Sequence, residues 1–198
     1  MSQLEFFQDI ELIGQPEVAV SIVWSKLYTQ LHLALAEFKN TYGYQPIGVS
    51  FPEYGDATFP LGKSLRLFAS SEDELKKLAI SDWLSRLTDY VRVKNIHPIP
   101  SKRVREYAIF SRKEFKTNPE AIARRRCKRH PELTFETALA QIKGRAPRFT
   151  DLPYVSLNSL SSGHHFKLFI DHKSSSLQDR TSDFSTYGLS QGLSVPIF

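Results

Sequence analysis

Cysteine is almost absent from this chain of 198 residues, since Cys127 is the only one. A single thiol excludes an internal disulfide and any zinc site that is built from several cysteines. The chain also lacks a His-Glu-x-x-His motif, a P-loop and a dense acidic cluster, so no ligand set for metal-dependent phosphate chemistry is visible. We therefore expect no metal, no cofactor and no small-molecule substrate.

Long apolar runs are missing as well. None approaches the roughly 20 residues that span a bilayer. The first five residues, MSQLE, contain neither a basic region nor the start of an apolar signal core. We expect a chain that avoids the membrane and stays in the cytoplasm. With 41% hydrophobic residues, it can form one large globular domain or two small ones.

Positive charge is concentrated in one stretch of the chain. Residues 101–130 hold eleven Lys and Arg residues against three Glu, whereas the net charge of the whole chain is only +5. The remainder is therefore slightly acidic. Because the charge is local, it predicts one region that binds a polyanion such as nucleic acid.

A helix is predicted within this stretch. Thr117 and Glu120 have the spacing of a capping box, and Pro119 is tolerated in a first helical turn. No acidic residue separates Ala121 from His130, whereas a solvated surface helix, the alternative interpretation, normally mixes both charges. At 3.6 residues per turn, one stripe of the helix carries four cations: Arg124, Arg125, Lys128 and Arg129.

The first half of the chain predicts a small α/β unit. Alternating or short apolar segments predict strands at residues 6–13, 47–52, 64–69 and 91–93. A helix is expected after Pro16 and a second one from Ser71, with Glu74 completing its capping box, to Tyr90. The resulting order β-α-β-β-α-β is typical of a ferredoxin-like (RRM-like) domain, and the whole chain is assigned to the α+β class.

The prolines at positions 98 and 100 indicate a domain boundary, so we expect a ferredoxin-like domain at 1–97 and an RNA-binding domain at 98–198. In the second domain we expect an extended arm at 107–116, the basic helix, a short helix at 134–142, and strands at 152–160 and 164–171. A turn at 161–163 joins those strands. Residues 173–184 predict a mobile loop, and the apolar C-terminal tail is expected to pack.

RNA permits cleavage chemistry without a metal, because its own 2′-OH can attack the neighbouring phosphate once a base removes the proton. Histidine is the natural base near neutral pH. Six histidines are candidates, and their positions alone do not decide among them: His32, His97, His130, His164, His165 and His172. Of these, His32 lies at the flank of a packed helical face, from which its ring can reach a groove.

Several short segments, taken in order and spacing, share their pattern with one known family. They are residues 47–52 (IGVSFP), 118–120 (NPE) with the arginine run to 130, 151–153 (DLP), and 187–190 (YGLS) followed by Val195-Pro196-x-Phe198. The pattern Ser159-x-Ser161-x-Gly163-x-His165-Phe166-x-Leu168-Phe169-Ile170 completes the set. With these segments the chain resembles the type I-F CRISPR-associated endoribonucleases, Csy-type members of the Cas6 superfamily that cut repeat RNA into guide RNAs.

The resemblance implies three catalytic residues. His32 would act as the base on the 2′-OH, Ser159 would hold that hydroxyl and its sugar, and Tyr187 would orient the imidazole. The chain aligns with the family without a gap from Asp9 to His32, which favours His32 over Tyr28. The expected products are a 2′,3′-cyclic phosphate and a 5′-hydroxyl. Without the resemblance, a solvent-facing strand serine and a core tyrosine are the simpler interpretations of Ser159 and Tyr187.

The resemblance also implies how RNA is bound. The basic helix would enter the major groove of a CRISPR repeat stem-loop, where Arg124, Arg125, Lys128 and Arg129 contact phosphates near the open end of the groove. Arg112 would read a guanine at the base of the stem, Phe166 would stack on the terminal base, and Ser161 would also bind RNA. The protein would keep the mature crRNA and join the other subunits of the type I-F surveillance complex.

Two positions depart from the family pattern. Glu114 stands where a glutamine is expected, and a carboxylate suits a cytosine amino group better than an adenine. Lys128 replaces an arginine and so loses any bidentate contact. Two alternatives stay open: a catalytically inactive RNA-binding assembly subunit, and a DNA-binding regulator that places the basic helix in a DNA major groove.

Overall fold

Two antiparallel sheets and five α-helices form the part of the chain that the computed structural model describes, namely residues 3–115, 119–143, 150–159, 163–175, 183–190 and 192–198. The strands are β1 (Phe6–Leu12), β2 (Gly48–Ser50), β3 (Ser64–Ala69), β4 (Val91–Pro98), β5 (Glu106–Lys113), β6 (Tyr154–Asn158), β7 (His165–Ser175) and β8 (Val195–Ile197). The helices are α1 (Val20–Tyr42), α2 (Glu72–Leu78), α3 (Ile80–Trp83), α4 (Pro119–Arg129) and α5 (Phe135–Lys143). Single 3₁₀ turns lie at Ser85–Leu87 and Ser101–Arg103.

The first sheet has the strand order β2-β3-β1-β4, and each neighbouring pair is antiparallel. Along the chain its strands and helices follow the predicted order, with α3 as an additional short helix after α2, so the α+β class is confirmed. The apolar stripe of α1 supplies much of the core, because Val23, Leu27, Leu31, Ala34 and Phe38 are all buried. These residues recur every three or four positions, which keeps them on one face of the helix.

Local sequence signals mark the C-terminal end of α1 and the N-terminal end of α2. Helix α1 ends at Gly43, which adopts φ 80° and donates its N–H to the Lys39 carbonyl over 2.8 Å. Helix α2 begins with the predicted capping box, in which the Glu74 N–H donates to Ser71 Oγ over 3.3 Å. The Ser71 N–H in turn donates to Glu74 Oε2 over 3.2 Å.

The prediction of one continuous helix from Ser71 to Tyr90 is wrong. Ala79 adopts a left-handed conformation with φ 47°, and the chain continues as α3 and a 3₁₀ turn. Leu78 and Ile80 are both buried. On one regular helix, residues that are two positions apart in the sequence point about 200° apart and so face opposite sides. The break at Ala79 lets both side chains reach the same core.

The second sheet has the order β6-β7-β5-β8. Strand β7 runs on to Ser175 because residues 107–109 pair with residues 173–175, so the mobile loop predicted from 173 is wrong for its first three residues. Residues 176–182 of that loop lie outside the described residues. Lys113 of β5 and Tyr154 of β6 both pair with Phe169, from opposite sides of β7.

The chain divides into two compact units, residues 1–113 with 153–198 and residues 114–152. The boundary predicted between residues 97 and 98 lies inside the first unit, before the last residue of β4. In the described part of the second unit, α4 and α5 pack together and bury Ala123 and Ala138. Thr134 begins α5, since its Oγ1 accepts from the Thr137 N–H over 3.2 Å. None of the described helices combines the length and the apolar composition that a membrane span requires.

Candidate active site

His32 lies on α1, next to the buried Leu31, and its ring is half-buried. Its Nδ1 lies 2.8 Å from the carbonyl oxygen of Thr186. A carbonyl can only accept, so this contact requires the proton on Nδ1 and leaves Nε2 of the neutral imidazole as an acceptor. An imidazole in this tautomer can take a proton from another group.

The ring of Tyr187 stacks on the imidazole of His32, with 4.1 Å between the ring centroids and 5° between the planes. The backbone under this stack is also held, because the hydroxyl of Tyr28 donates to the Tyr187 carbonyl over 2.9 Å. Tyr28 is completely buried, and burial raises the pKa of its phenol. The phenol therefore stays protonated as a donor, which fits support of the site rather than a role as base.

The segment 184–190, which carries both contacts of His32, is fastened to the first sheet. The buried Gln45 donates through Nε2 to the Ser185 carbonyl over 3.1 Å. Its main-chain carbonyl accepts from the Phe184 N–H, also over 3.1 Å. Gly188 adopts φ 70°, and a Cβ there would lie 2.4 Å from Cγ1 of Val49. Only glycine allows the chain at position 188 to lie this close to Val49. The Val49 N–H donates to the Gly188 carbonyl over 3.0 Å and holds the two segments together.

The second sheet supplies the other wall of the site. The guanidinium of Arg112, on β5, lies 5.6 Å from the ring centroid of Phe166 and 5.6 Å from that of Tyr187. Both distances are within the range of a cation–π contact. Ser159 directly follows β6, and its N–H donates to the His164 carbonyl over 2.8 Å. This hydrogen bond joins the two ends of the β6–β7 connection and thus fixes the backbone of Ser159.

Helix α1, the segment 184–190 and the second sheet together surround one pocket of about 260 Å³. The structure brings together His32, Ser159 and Tyr187, and it adds Phe166 to the same lining. Thr29, Leu157 and Asn158 complete the wall and were missed from the sequence. Thr29 had a usable signal, because it precedes His32 by three positions and so lies beside it on the helix. No sequence signal indicated the Thr186 carbonyl, because no side-chain pattern identifies a main-chain acceptor that lies 154 residues from His32.

The basic helix forms a separate surface in the second unit. Arg124, Arg125, Lys128 and Arg129 are all exposed, whereas Ala123 is buried and Cys127 is half-buried. Glu114 is exposed and belongs to this unit, immediately after β5. Thr117 and Ser161 lie outside the described residues. Among the residues that are described, no three His, Cys, Asp or Glu side chains form a group that could hold a metal ion.

Comparison with known proteins adds a family to this geometry. Residues 7–198 match the model of the CRISPR-associated protein family Cas_Csy4. Two curated relatives are named CRISPR-associated endonuclease Cas6/Csy4. The one from Pseudomonas aeruginosa (strain UCBPP-PA14) is 37% identical over 98% of this chain and 100% of its own length. The one from Escherichia coli (strain UTI89 / UPEC) is 33% identical over 98% and 100%.

A solved chain described as a Cas6 product complex aligns over 94% of this chain and 89% of its own, with 12% identity and a TM-score of 0.28. A likeness that weak carries no argument about the fold or the site. The family model and the two relatives cover almost every residue from the first strand to the last, and they confirm the resemblance seen in the motifs. The chain belongs to the Cas6/Csy4 family of CRISPR-associated endonucleases.

Proposed function

We propose that this protein is a metal-independent endoribonuclease that cleaves precursor crRNA at the 3′ base of the repeat hairpin. The observation that carries the proposal is the state of His32, whose Nδ1 is engaged by a carbonyl while its ring is stacked on Tyr187. Such an imidazole offers Nε2 as a base in a fixed orientation. The names of the relatives, which are endonucleases, support the same reaction class.

The reaction needs no group besides the RNA and the pocket. Nε2 of His32 takes the proton from the 2′-OH, and the oxygen attacks the adjacent phosphorus. The bond from phosphorus to the 5′-oxygen breaks, and that oxygen takes up a proton. A 2′,3′-cyclic phosphate and a 5′-hydroxyl result. Ser159, in the same pocket, holds the attacking hydroxyl and its sugar, while Tyr187 keeps the imidazole plane in place.

Recognition of the RNA is assigned to two surfaces. At the pocket, Phe166 stacks on the terminal base and Arg112, which lies beside its ring, reads a guanine at the base of the stem. On α4, Arg124, Arg125, Lys128 and Arg129 contact stem phosphates, and their exposure supports this role. Ser161 is a further proposed RNA contact. Glu114 is proposed to accept from a cytosine amino group, which its exposure allows.

Three finer proposals accompany this function. The order β2-β3-β1-β4 with antiparallel neighbours supports a ferredoxin-like assignment for the first sheet and its helices. Cleavage leaves the stem intact, so most of the binding energy would remain and the protein would stay on its product. A retained crRNA would in turn connect the protein to the other subunits of the type I-F surveillance complex.

Cleavage of the cognate repeat hairpin in EDTA tests the proposal. We expect cleavage of the all-ribose RNA, and none of the same RNA with one 2′-deoxy nucleotide immediately 5′ of the scissile phosphate. Tight binding without cleavage would identify an RNA-holding assembly subunit instead. A duplex DNA of the repeat sequence is the control for specificity, and equal affinity for DNA and RNA at the same salt would favour a DNA-binding regulator.

A further inference from the structure

A second and larger groove adjoins the pocket of His32. It has a volume of about 790 Å³ and shares two lining residues, Thr29 and Asn158, with that pocket. We call it the adjoining groove and define it by Lys26, Thr29, Trp83, Arg86, Tyr90 and Asn158. All of these residues belong to the first unit. The two cavities therefore meet at one edge of the proposed catalytic site.

The side chains of the adjoining groove suit a single-stranded nucleic acid. Lys26 and Arg86 are exposed cations, and Trp83 and Tyr90 present half-exposed rings. One acidic residue, Asp82, also lines the groove, so cations exceed acids. Proteins that bind unpaired strands combine cations for the backbone with aromatic faces on which bases stack. A purely apolar partner would leave both cations of this surface without a counter-charge.

Helix α1 connects the groove to the base. Lys26, Thr29 and His32 follow one another at intervals of three residues, so they are neighbours along the helix surface. At 1.5 Å per residue, the six steps from Lys26 to His32 cover about 9 Å. The groove therefore begins within a short distance of the atom that would start the reaction.

We propose that the adjoining groove binds the unpaired nucleotides on the 3′ side of the scissile phosphate. This inference rests on the proposed function, in which Arg112 and Phe166 hold the base of the stem on the 5′ side of the cut. Neither of these residues lines the adjoining groove, which meets the pocket at Thr29 and Asn158. The groove thus takes the strand that departs with the 5′-hydroxyl.

Two tryptophans allow a direct optical test without any substitution. Trp24 is fully buried and donates to the Gly62 carbonyl over 3.0 Å, whereas Trp83 lines the groove. We compare two hairpins blocked by a 2′-deoxy nucleotide at the cut, one with ten unpaired 3′ nucleotides and one with a single nucleotide. Stacking on Trp83 should lower the emission only with the long RNA. Equal quenching by both RNAs would overturn the proposal.

Substitution of the exposed cations gives the second test. For a single strand, log K falls with log salt by about 0.7 per phosphate contact, so K26Q/R86Q should lower the slope for the long RNA by about 1.4. At 0.1 M salt this corresponds to an affinity about 25-fold weaker. The short RNA should bind the variant as tightly as it binds the wild type.

The matched control is K102Q/R103Q, which removes the same charge from exposed positions outside the groove. It should bind both RNAs like the wild type. If K26Q/R86Q also keeps the wild-type preference for the long RNA, the groove does not bind this strand. Cleavage of the unblocked short RNA separates the two proposals. If the wild type cleaves it normally while K26Q/R86Q binds the long RNA like the wild type, only the proposal about the adjoining groove is overturned. Absence of cleavage of either unblocked RNA by the wild type overturns the proposed function and this inference with it.

Discussion

The pocket of His32 and the cationic face of α4 differ in how closely neighbouring residues hold their side chains. In the pocket, the orientation of one imidazole depends on the Thr186 carbonyl, the Tyr187 ring and, behind them, the buried Tyr28 hydroxyl. On α4, four cations are simply exposed along one stripe. Proton transfer requires fixed geometry, whereas attraction to phosphates requires mainly charge. Changes in the two regions should therefore alter different measured quantities.

The largest separation is expected for H32A. Removal of a general base lowers the rate by about 10²–10⁴-fold, so single-turnover cleavage of the repeat hairpin should fall by that factor. The affinity for the hairpin, measured with the 2′-deoxy RNA, should stay at the wild-type value. H97A is the control, because His97 is exposed on β4. Unchanged cleavage by H32A would remove His32 from the mechanism.

The reverse pattern is expected when the stripe on α4 is neutralised. Substitution of Arg124, Arg125, Lys128 and Arg129 by Gln should lower the salt slope of hairpin binding by about 3.6, or roughly 4 × 10³-fold in affinity at 0.1 M salt. Cleavage at saturating protein should keep its rate. The control carries the same charge change at four exposed positions of the first unit: Lys39, Lys102, Arg103 and Arg105. An equal loss of affinity in both variants would deny α4 a special role.

A smaller effect on stability is expected for G188A. The φ of 70° and the 2.4 Å approach of a new Cβ to Val49 should lower the free energy of unfolding by about 2 kcal/mol. Urea denaturation measures this loss, and cleavage should fall with it because segment 184–190 supports His32. G14A is the control, since a Cβ on Gly14 meets no atom within 4 Å. Equal stability of both variants would contradict the close approach seen at Gly188.

The smallest of these effects concerns the ring of Tyr187. An aromatic pair contributes about 0.5–1.5 kcal/mol, so Y187A should slow cleavage by up to roughly tenfold. Y187F keeps the ring and should cleave like the wild type. A defect in Y187F as large as that in Y187A would show that the hydroxyl, rather than the stack, is needed.

The fold was predictable where local signals decide it. Strand β3 has the predicted limits, and the capping box at Ser71 and Glu74 starts α2 as expected. The break at Ala79 was not predictable, because an apolar spacing that suits one helix suits two short ones as well, and only the core decides between them. Strand β8 was expected only to pack, because its pairing with β5 depends on residues about 90 positions away.

The site was predictable in part for a similar reason. Helical spacing placed the ring of His32 at the edge of a packed face, and family motifs pointed to Ser159 and Tyr187. The structure places all three around one pocket, while their chemical roles stay predictions. The contacts that orient His32 involve the Thr186 carbonyl and the Tyr28 hydroxyl, which join chain segments more than 150 residues apart. Such partners are known only once the chain is folded.

The register of the second sheet has one more consequence. Lys113 and Tyr154 flank the same residue, Phe169, so the chain leaves and re-enters the first unit two strand spacings apart, at about 9.6 Å. Everything between these points is the unit that carries α4. The second unit is thus an insertion between β5 and β6. Under the proposed role of α4, a different insert with ends at that separation would change the RNA preference and leave every strand of both sheets in place.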